Sequence, residues 1–265
     1  MNQASPLLIA QVTDIHLFAN ENQQLLNLST IQSFQAVIER LQRLRPQPDL
    51  LLLTGDLSQD GTPESYEHVQ NLLSPLGTPI YWLPGNHDCL SVMQQILNSA
   101  PVSPRKVFNR GSWNFILINS GVAGCVHGEL SPETLDWLDF RLRIVEQHPT
   151  LVALHHPPFS VNSNWLDAST LKNPEELFAV LDCHPQIKLV LFGHIHQEFN
   201  RQRNGVHYLG SPSTCIQFEP QSSNFSLDHE KPGFRLLKLY PDGRWETRIE
   251  RVAYAHQLDL AATGY

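Results

Sequence analysis

Five short apolar runs in this chain stop abruptly, each at residues able to hold a cation. The clearest is residues 50–54, Leu-Leu-Leu-Leu-Thr, which ends in Gly55-Asp56. A run of that length, entered from Pro48-Asp49 and broken by glycine, predicts a strand buried on both faces. Glycine at the stop lets the backbone turn sharply and approach whatever the next residue serves. The carboxylate of Asp56 is thereby delivered to the carboxyl end of a buried strand, where open α/β sheets hold their ligands. The device recurs after residues 7–13 (Asp14-Ile15-His16) and 79–83 (Pro84-Gly85-Asn86-His87-Asp88). It appears again after 150–154 (His155-His156-Pro157-Pro158) and 187–192 (Gly193-His194-Ile195-His196). Extended backbone puts residues i and i+2 on one side, so Asp14 and His16 are expected to reach one ion together.

Helical patterns separate the runs. Ile31, Phe34, Val37, Ile38, Leu41 and Leu44 recur at helical spacing, with Ser29 or Thr30 as cap and Pro46 and Pro48 beyond the end. Thr62-Pro63 opens a second helix, residues 90–98 form a short third, and Ser131-Pro132-Glu133 starts a fourth. Asn173-Pro174-Glu175-Glu176 reads as a capping box. From about residue 206 the pattern becomes β-like, over 206–209, 234–240 and 245–252, with Asp242-Gly243 as a hairpin turn. The order βαβαβα, then mixed, then all β predicts an α/β fold. Two sheets would pack face to face with helices outside. No repeat or linker divides the chain, so residues 1–265 read as a single domain.

Hydrophobic residues make up 41% of the 265 and charged residues 17%, enough for a full core and against disorder. A formal net charge of −8 argues against nucleic acid as the main partner. It leaves room for a small anionic substrate, since bound cations reverse the local field. Cys89, Cys125, Cys183 and Cys215 are widely spaced, without a Cys-x-x-Cys pair, and suggest neither a zinc finger nor a disulfide framework. Met1-Asn2-Gln3-Ala4-Ser5-Pro6 has no basic stretch, and the apolar run after it is short for a signal or membrane helix. The chain reads as cytoplasmic, with no membrane partner, and as a monomer or homodimer. Of its 13 histidines, His68, His127, His148, His184, His207, His229 and His256 stand in no repeated context. They read as ordinary surface or core residues. The other six lie at the strand ends.

Collected together, the strand ends offer Asp14, His16, Asp56, Asn86, His155, His194 and His196. Carboxylate, amide oxygen and imidazole suit iron, manganese, zinc or cobalt better than a soft-metal site. Seven donors exceed what one first-row ion takes. Two ions sharing Asp56, roughly 3.5–4 Å apart, use them all. Any one of these short motifs is commonplace; the joint order carries the reading.

The set resembles the motif blocks of the calcineurin-like metallophosphoesterases: D-x-H, G-D, G-N-H-D, H and G-H-x-H, spanning Asp14 to His196. The resemblance implies a four-layer αββα sandwich of two mixed sheets. It implies that Asp14, His16, Asp56 and His196 hold one ion, and Asp56, Asn86, His155 and His194 the other. It makes His87 the catalytic residue that contacts the phosphate and protonates the leaving oxygen, with Asp88 orienting it. His16, Asp56, Asn86, His87 and His196 would lie within reach of the substrate. His155 is the family ligand by its place two before Pro157, and His156 reads equally well as a hydrogen-bonded structural histidine.

Further segments resemble the bacterial class III 3′,5′-cyclic AMP phosphodiesterases. Among them are Thr13-Asp14-Ile15-His16-Leu17-Phe18-Ala19, Ser163-Asn164-Trp165-Leu166-Asp167, Ser211-Pro212-Ser213-Thr214-Cys215 and the closing Gly264-Tyr265. That likeness implies a cyclic nucleotide as the small anionic substrate, with 5′-AMP as product. A hydroxide held between the ions would attack phosphorus in line with the 3′ oxygen. Other small diesters, such as glycerophosphodiesters or 2′,3′-cyclic nucleotides, are the alternative. A non-catalytic scaffold would be expected to have lost ligands or His87, and all are present. Asn164, Trp165, His207 and Phe218 are candidates for the rim of a base pocket.

Overall fold

The computed structural model describes residues 5–145, 148–254 and 257–264. Met1 to Ala4, His256 and Tyr265 of the sequence reading lie outside them. The chain first lays down β1 (Leu7–Val12), α1 (Thr30–Arg43), β2 (Leu50–Thr54), α2 (Pro63–Leu73), β3 (Ile80–Leu83), α3 (Leu90–Ile96) and β4 (Val102–Ser103). There follow β5 (Val107–Arg110), β6 (Trp113–Leu117), α4 (Pro132–Ile144), β7 (Thr150–Ala153), α5 (Asn164–Asp167), α6 (Pro174–Leu181) and β8 (Ile187–Phe192). The last part is β: β9 (Phe199–Arg203), β10 (Val206–Gly210), β11 (Gln217–Phe218), β12 (Leu227–Asp228), β13 (Gly233–Leu239) and β14 (Trp245–Arg251).

Among the described residues the strands form two large sheets, ordered β14-β13-β1-β2-β3-β4 and β5-β6-β7-β8-β10-β9. Each is mixed. β1, β2, β3 and β4 run parallel, as do β6, β7, β8 and β10, while β13, β14, β5 and β9 are antiparallel additions. The pleat explains why the central strands are apolar throughout. In β1, Ile9 enters the core between the sheets while Ala10 joins the core under the helices. Leu50 and Leu52 face the inner layer beside Leu151, Leu189 and Leu191 of the other sheet, and Leu51 and Leu53 face Phe34, Tyr66 and Val69. A third apolar layer joins the outer face of the second sheet, through Val152 and Val190, to Leu138, Leu142 and Leu177 of α4 and α6. Three apolar layers among four structural ones give the expected αββα sandwich.

Polar groups also join the sheets. Gln11 of β1 donates to Phe192 O of β8 and to Thr54 Oγ1, both at 3.0 Å, and accepts from Ser211 Oγ at 2.6 Å. Arg235 of β13, 1% exposed, donates to Gly210 O at 2.6 Å, Ser211 Oγ at 3.2 Å and Thr247 Oγ1 at 3.0 Å. Burial pulls its guanidinium down to about 10.

Some local expectations need correction. Asp14 and His16 are not extended: their φ values are 54° and 53°, in the left-handed region. Ser29 caps α1 without a side-chain bond. The capping box at Asn173 does not form either, because its Oδ1 accepts from Leu130 N, 43 residues away. Long-range satisfaction outcompetes the local cap. Thr62 and Ser131 do cap, accepting from Ser65 N and Thr134 N. Strands β5 and β9 escaped the periodic reading because they are edges. β9 is Phe-Asn-Arg-Gln-Arg, polar as an exposed edge tends to be.

Replacing Arg235 by alanine strands three acceptors between the sheets and opens a cavity. The Arg235→Ala protein should lose about 2–4 kcal/mol of stability in urea unfolding. An unchanged midpoint would show that the buried guanidinium does not hold the sheets together.

Candidate metal centre

All five predicted strand ends meet at the top of the sandwich. β1, β2 and β3 bring Asp14, His16, Asp56 and Asn86 from one sheet; β7 and β8 bring His155, His194 and His196 from the other. Asp14, His16, Asp56, His194 and His196 all have φ between 49° and 69°. L residues adopt that region at a cost, and such outliers gather where surrounding structure over-determines them. Here Asp14 N donates to Gly55 O at 3.0 Å, while Ile15 N and His16 N both donate to Asp56 O at 2.8 and 3.0 Å. The two loops thus hold each other in the turn that brings their side chains together.

His196 Nε2 lies 3.3 Å from Asp14 Oδ1 and 3.3 Å from His16 Nε2, and His16 Nε2 lies 3.9 Å from Asp56 Oδ2. On the other side, His155 Nε2 is 3.2 Å from the same Asp56 oxygen, and His194 Nδ1 is 3.0 Å from Asn86 Oδ1. Asp56 is thus shared, near His16 on one side and His155 on the other, with Asp14 also close enough to join Asp56 and His155 in one cluster. Each of these imidazoles has its other nitrogen tied down. His16 Nδ1 meets Gln59 Oε1 at 2.6 Å, and His155 Nδ1 meets Thr54 O at 2.8 Å. His196 Nδ1 meets Ile216 O at 2.9 Å, and His194 Nε2 meets Ser169 Oγ at 2.9 Å. Acceptors placed this way fix the tautomer and aim the free nitrogen, as around metal-binding histidines.

The backbone is crowded around these donors. A Cβ on Gly193 would sit 2.7 Å from Asp14 Oδ2, and one on Gly85 would sit 2.7 Å from Asp56 Cγ. Glycine is required there because the carboxylates lie where a side chain would be.

Burial alone would favour the neutral acid at both aspartates, but neighbouring imidazoles outweigh it. His196 holds Asp14 below the usual carboxylate range, and His155 holds Asp56 well below it. Burial pushes His16 down to about 3 and His194 well below its ordinary value. His155 also loses by burial, but the Asp56 carboxylate more than restores it, to about 9. Its Nε2 is buried and close to Asp56 without an aligned hydrogen bond. Ionised carboxylates, the neutral imidazoles of His16 and His194 and the inward, buried Nε2 of His155 fit a cation-binding site.

A model of the calcineurin-like phosphoesterase family matches residues 7–198. The chain is a calcineurin-like phosphoesterase. It is 62% identical to a 3′,5′-cyclic-nucleotide phosphodiesterase of Nostoc sp., over 99% of each chain. It is 41% identical to the 3′,5′-cyclic adenosine monophosphate phosphodiesterase CpdA of Pseudomonas aeruginosa, over 98% of this chain and 95% of that one. The CpdA of Escherichia coli K12 is 42% identical, over 97% and 94%. Among solved structures the fold is similar to a dimetal phosphatase of Danio rerio, with TM-score 0.66, 14% identity and coverage of 94% and 100%. It is also similar to the yellow lupin purple acid phosphatase PPD1, with TM-score 0.68, 14% identity and coverage of 94% and 52%.

Other residues surround these donors in the phosphoesterase site. Asp88 accepts from Leu57 N and Ser58 N at 3.1 Å, Gly85 N at 2.9 Å and Tyr66 OH at 3.0 Å. These bonds tie its carboxylate to the loops after β2 and β3 and to Tyr66 of α2. Burial, followed by the charge of Asp56, raises it to about 6. His87 is half-buried, its N–H donates to Asp56 Oδ1 at 2.9 Å, and its ring stands edge-on to His16 at 5.0 Å. His156 has both nitrogens engaged, Nδ1 with Ser120 Oγ at 2.9 Å and Nε2 with Val126 O at 3.1 Å. Although its ring lies near His155 and His194, it is the structural histidine of the pair. Cys215 Sγ comes within 4.8 Å of the ring nitrogens of His16 and His196, but burial pushes the thiol up to about 12. It sits 3.4 Å from Asp14 O as a donor.

Gln59 and Ser169 were missed. Gln59 had a faint signal, three residues after Asp56 on one loop, whereas Ser169 reaches His194 only through the fold. A cavity of about 840 Å³ opens onto Asn86, His87 and His194, walled by Trp165, Phe218 and Phe225. Asn164 is exposed and His207 stands against Trp245 on β14, so neither joins that wall. A second cavity of about 730 Å³, beside Lys106, Glu129 and Trp137, includes none of the predicted ligands.

At pH 7 the metal-free site carries a proton on His155, whose pKa is about 9. A cation must displace it. Titrating manganese into metal-free protein at pH 7, in buffers of different ionisation enthalpy, should show about one proton released per protein. Affinity should rise with pH toward 9 and level off above it. Binding without proton release would place the metal away from His155.

Proposed function

We propose that this phosphoesterase is a binuclear metal-dependent phosphodiesterase that cleaves 3′,5′-cyclic AMP to 5′-AMP. The observation that carries the reading is the convergence of seven donors in two groups about Asp56. Asp14, His16, Asp56 and His196 would hold one ion, and Asp56, Asn86, His155 and His194 the other. Iron or manganese suits this oxygen and imidazole set, with zinc or cobalt as substitutes. The substrate is drawn from the relatives, which are named for cyclic nucleotides and match over nearly their whole length. When bound, the two ions supply an acidified water and positive charge for the phosphoryl oxygens.

The chain's own residues do the rest. Asp14 and Asp56 bring two formal negative charges, fewer than two divalent ions carry. The centre therefore attracts an anionic diester within a protein of net charge −8. His87 lines the same cavity as Asn86 and His194, which supports a role for its imidazole beside the reacting phosphate. It donates the proton that the 3′ oxygen needs as the phosphorus–oxygen bond breaks, a role suited to histidine near neutral pH. Asp88 supports it indirectly, by fixing the backbone on both sides of the loop that presents it. Gln59 and Ser169 keep the imidazoles of His16 and His194 in place.

We place the enzyme in the cytoplasm as a single domain. All four cysteines are free, as a reducing compartment keeps them. Among the described residues no helix is long and apolar enough to cross a membrane.

The direct test is a substrate panel of cyclic AMP, cyclic GMP and a glycerophosphodiester, run on apoprotein reloaded with one metal at a time. Cyclic AMP should have the highest kcat/KM; a preference for the glycerophosphodiester would overturn the assignment. His87→Ala should keep both metals yet lose roughly 10²–10⁴-fold in kcat. Asp56→Ala should lose both ions together. Full retention of one ion with normal turnover would rule out a shared ligand.

A further inference from the structure

The cavity next to His87 has a composition that a bare phosphodiester site does not need. Trp165 of α5 stands edge-on to Phe218 at 4.8 Å and to Phe225 at 5.1 Å, and those two rings lie 5.7 Å apart. Phe218 in turn stacks on His196, with centroids 4.1 Å apart and planes 12° from parallel. The aromatic wall therefore starts at the metal centre itself. Val126, Leu166 and Ala168 add apolar surface. No Asp, Glu, Lys or Arg is among the described residues lining this cavity. Its volume, about 840 Å³, lies in the range of small-molecule sites.

The wall is held in register with the reacting centre. The Ser169 hydroxyl donates to Leu166 O at 2.8 Å and meets His194 Nε2 at 2.9 Å. α5 is also tied by Asp167, which accepts from Ser160 Oγ at 2.6 Å and Val161 N at 2.7 Å. Ser169 thus links α5, which carries Trp165, to the loop of His194.

We propose that Trp165, with Phe218 and Phe225, forms a stacking pocket for the nucleobase and is the specificity-determining residue of this enzyme. This inference rests on the phosphodiesterase reading above. A flat, uncharged aromatic ring gains from stacking on such faces, whichever base it is. A quaternary ammonium headgroup is the rival occupant of an aromatic pocket, but no carboxylate lines this one to favour a cation. The pocket selects a nucleotide over a diester without a base.

The test compares wild type, Trp165→Leu and Trp165→Phe, each loaded with manganese, on cyclic AMP, glycerophosphoethanolamine and glycerophosphocholine. Trp165→Leu should lose roughly 10-fold or more in kcat/KM for cyclic AMP, chiefly through KM. Trp165→Phe, which keeps an aromatic face, should recover most of it. Both base-free diesters should change little. Isothermal titration gives a second readout without turnover: Trp165→Leu should weaken 5′-AMP binding but leave inorganic phosphate binding intact. Equal losses on all substrates, or loss of phosphate binding, would reduce Trp165 to a packing residue and overturn the proposal. A loss confined to glycerophosphocholine would assign the pocket to a cation and overturn it too. If wild type cleaves the base-free diesters but not cyclic AMP, the substrate assignment itself falls, a result distinct from these.

Discussion

The structure depends on one carboxylate. Asp56 stands between two sheets that share no backbone hydrogen bonds in their ladders, with one oxygen 3.2 Å from His155 of the second sheet and the other accepting the His87 N–H. Its own carbonyl accepts two N–H groups from the loop that carries Asp14 and His16. A buried carboxylate is costly unless it is paired and hydrogen-bonded. Asp56 has both kinds of partner, and with its own they make four strand ends meeting at one side chain. Those ends are therefore bound to a single geometry without help from local propensity.

The same logic explains the inter-sheet network beneath. An apolar layer holds two sheets together but tolerates sliding, because dispersion contacts have little direction. Gln11 and Arg235 add direction, reaching across to Phe192 O and Gly210 O. Phe192 is the last residue of β8, immediately before Gly193-His194. A hydrogen bond there sets where the second sheet's histidines stand relative to Asp14 on β1. Stability and site geometry are carried by the same buried polar groups.

Much of this was legible in the sequence, for a physical reason. A strand buried on both faces must be apolar, so a polar residue at its end stands out, and the seven candidate donors that the fold brings together were picked out that way. The sequence does not record how the backbone turns after the strand. Asp14 and His16 were read as neighbours on extended chain, whereas left-handed turns at both bring them together. Side chains that act over long separations were equally hidden. The bonds of Asp88 to backbone 31 residues earlier leave no trace in its local sequence. Asn173 looked like a helix cap and instead serves Leu130. Polar edge strands such as β9 lack the alternation that betrays a half-buried strand.

Left-handed turns at five donors also bear on how such a centre persists. Each turn has a conformational cost, and in the metal-free state the site adds crowded imidazoles whose charging burial opposes. The close backbone at Gly85 and Gly193 leaves the carboxylates of Asp56 and Asp14 little room to move. Energy of this kind is stored until a ligand that needs the arrangement arrives, and binding such a ligand stabilises the fold by mass action. The aromatic wall belongs to the same construction. Phe218 lies flat on His196, so the wall of the substrate cavity and the aim of a donor imidazole cannot vary independently. Moving that ring would disturb the imidazole it lies on, whereas Trp165 and Phe225 join the wall through Phe218 and each other.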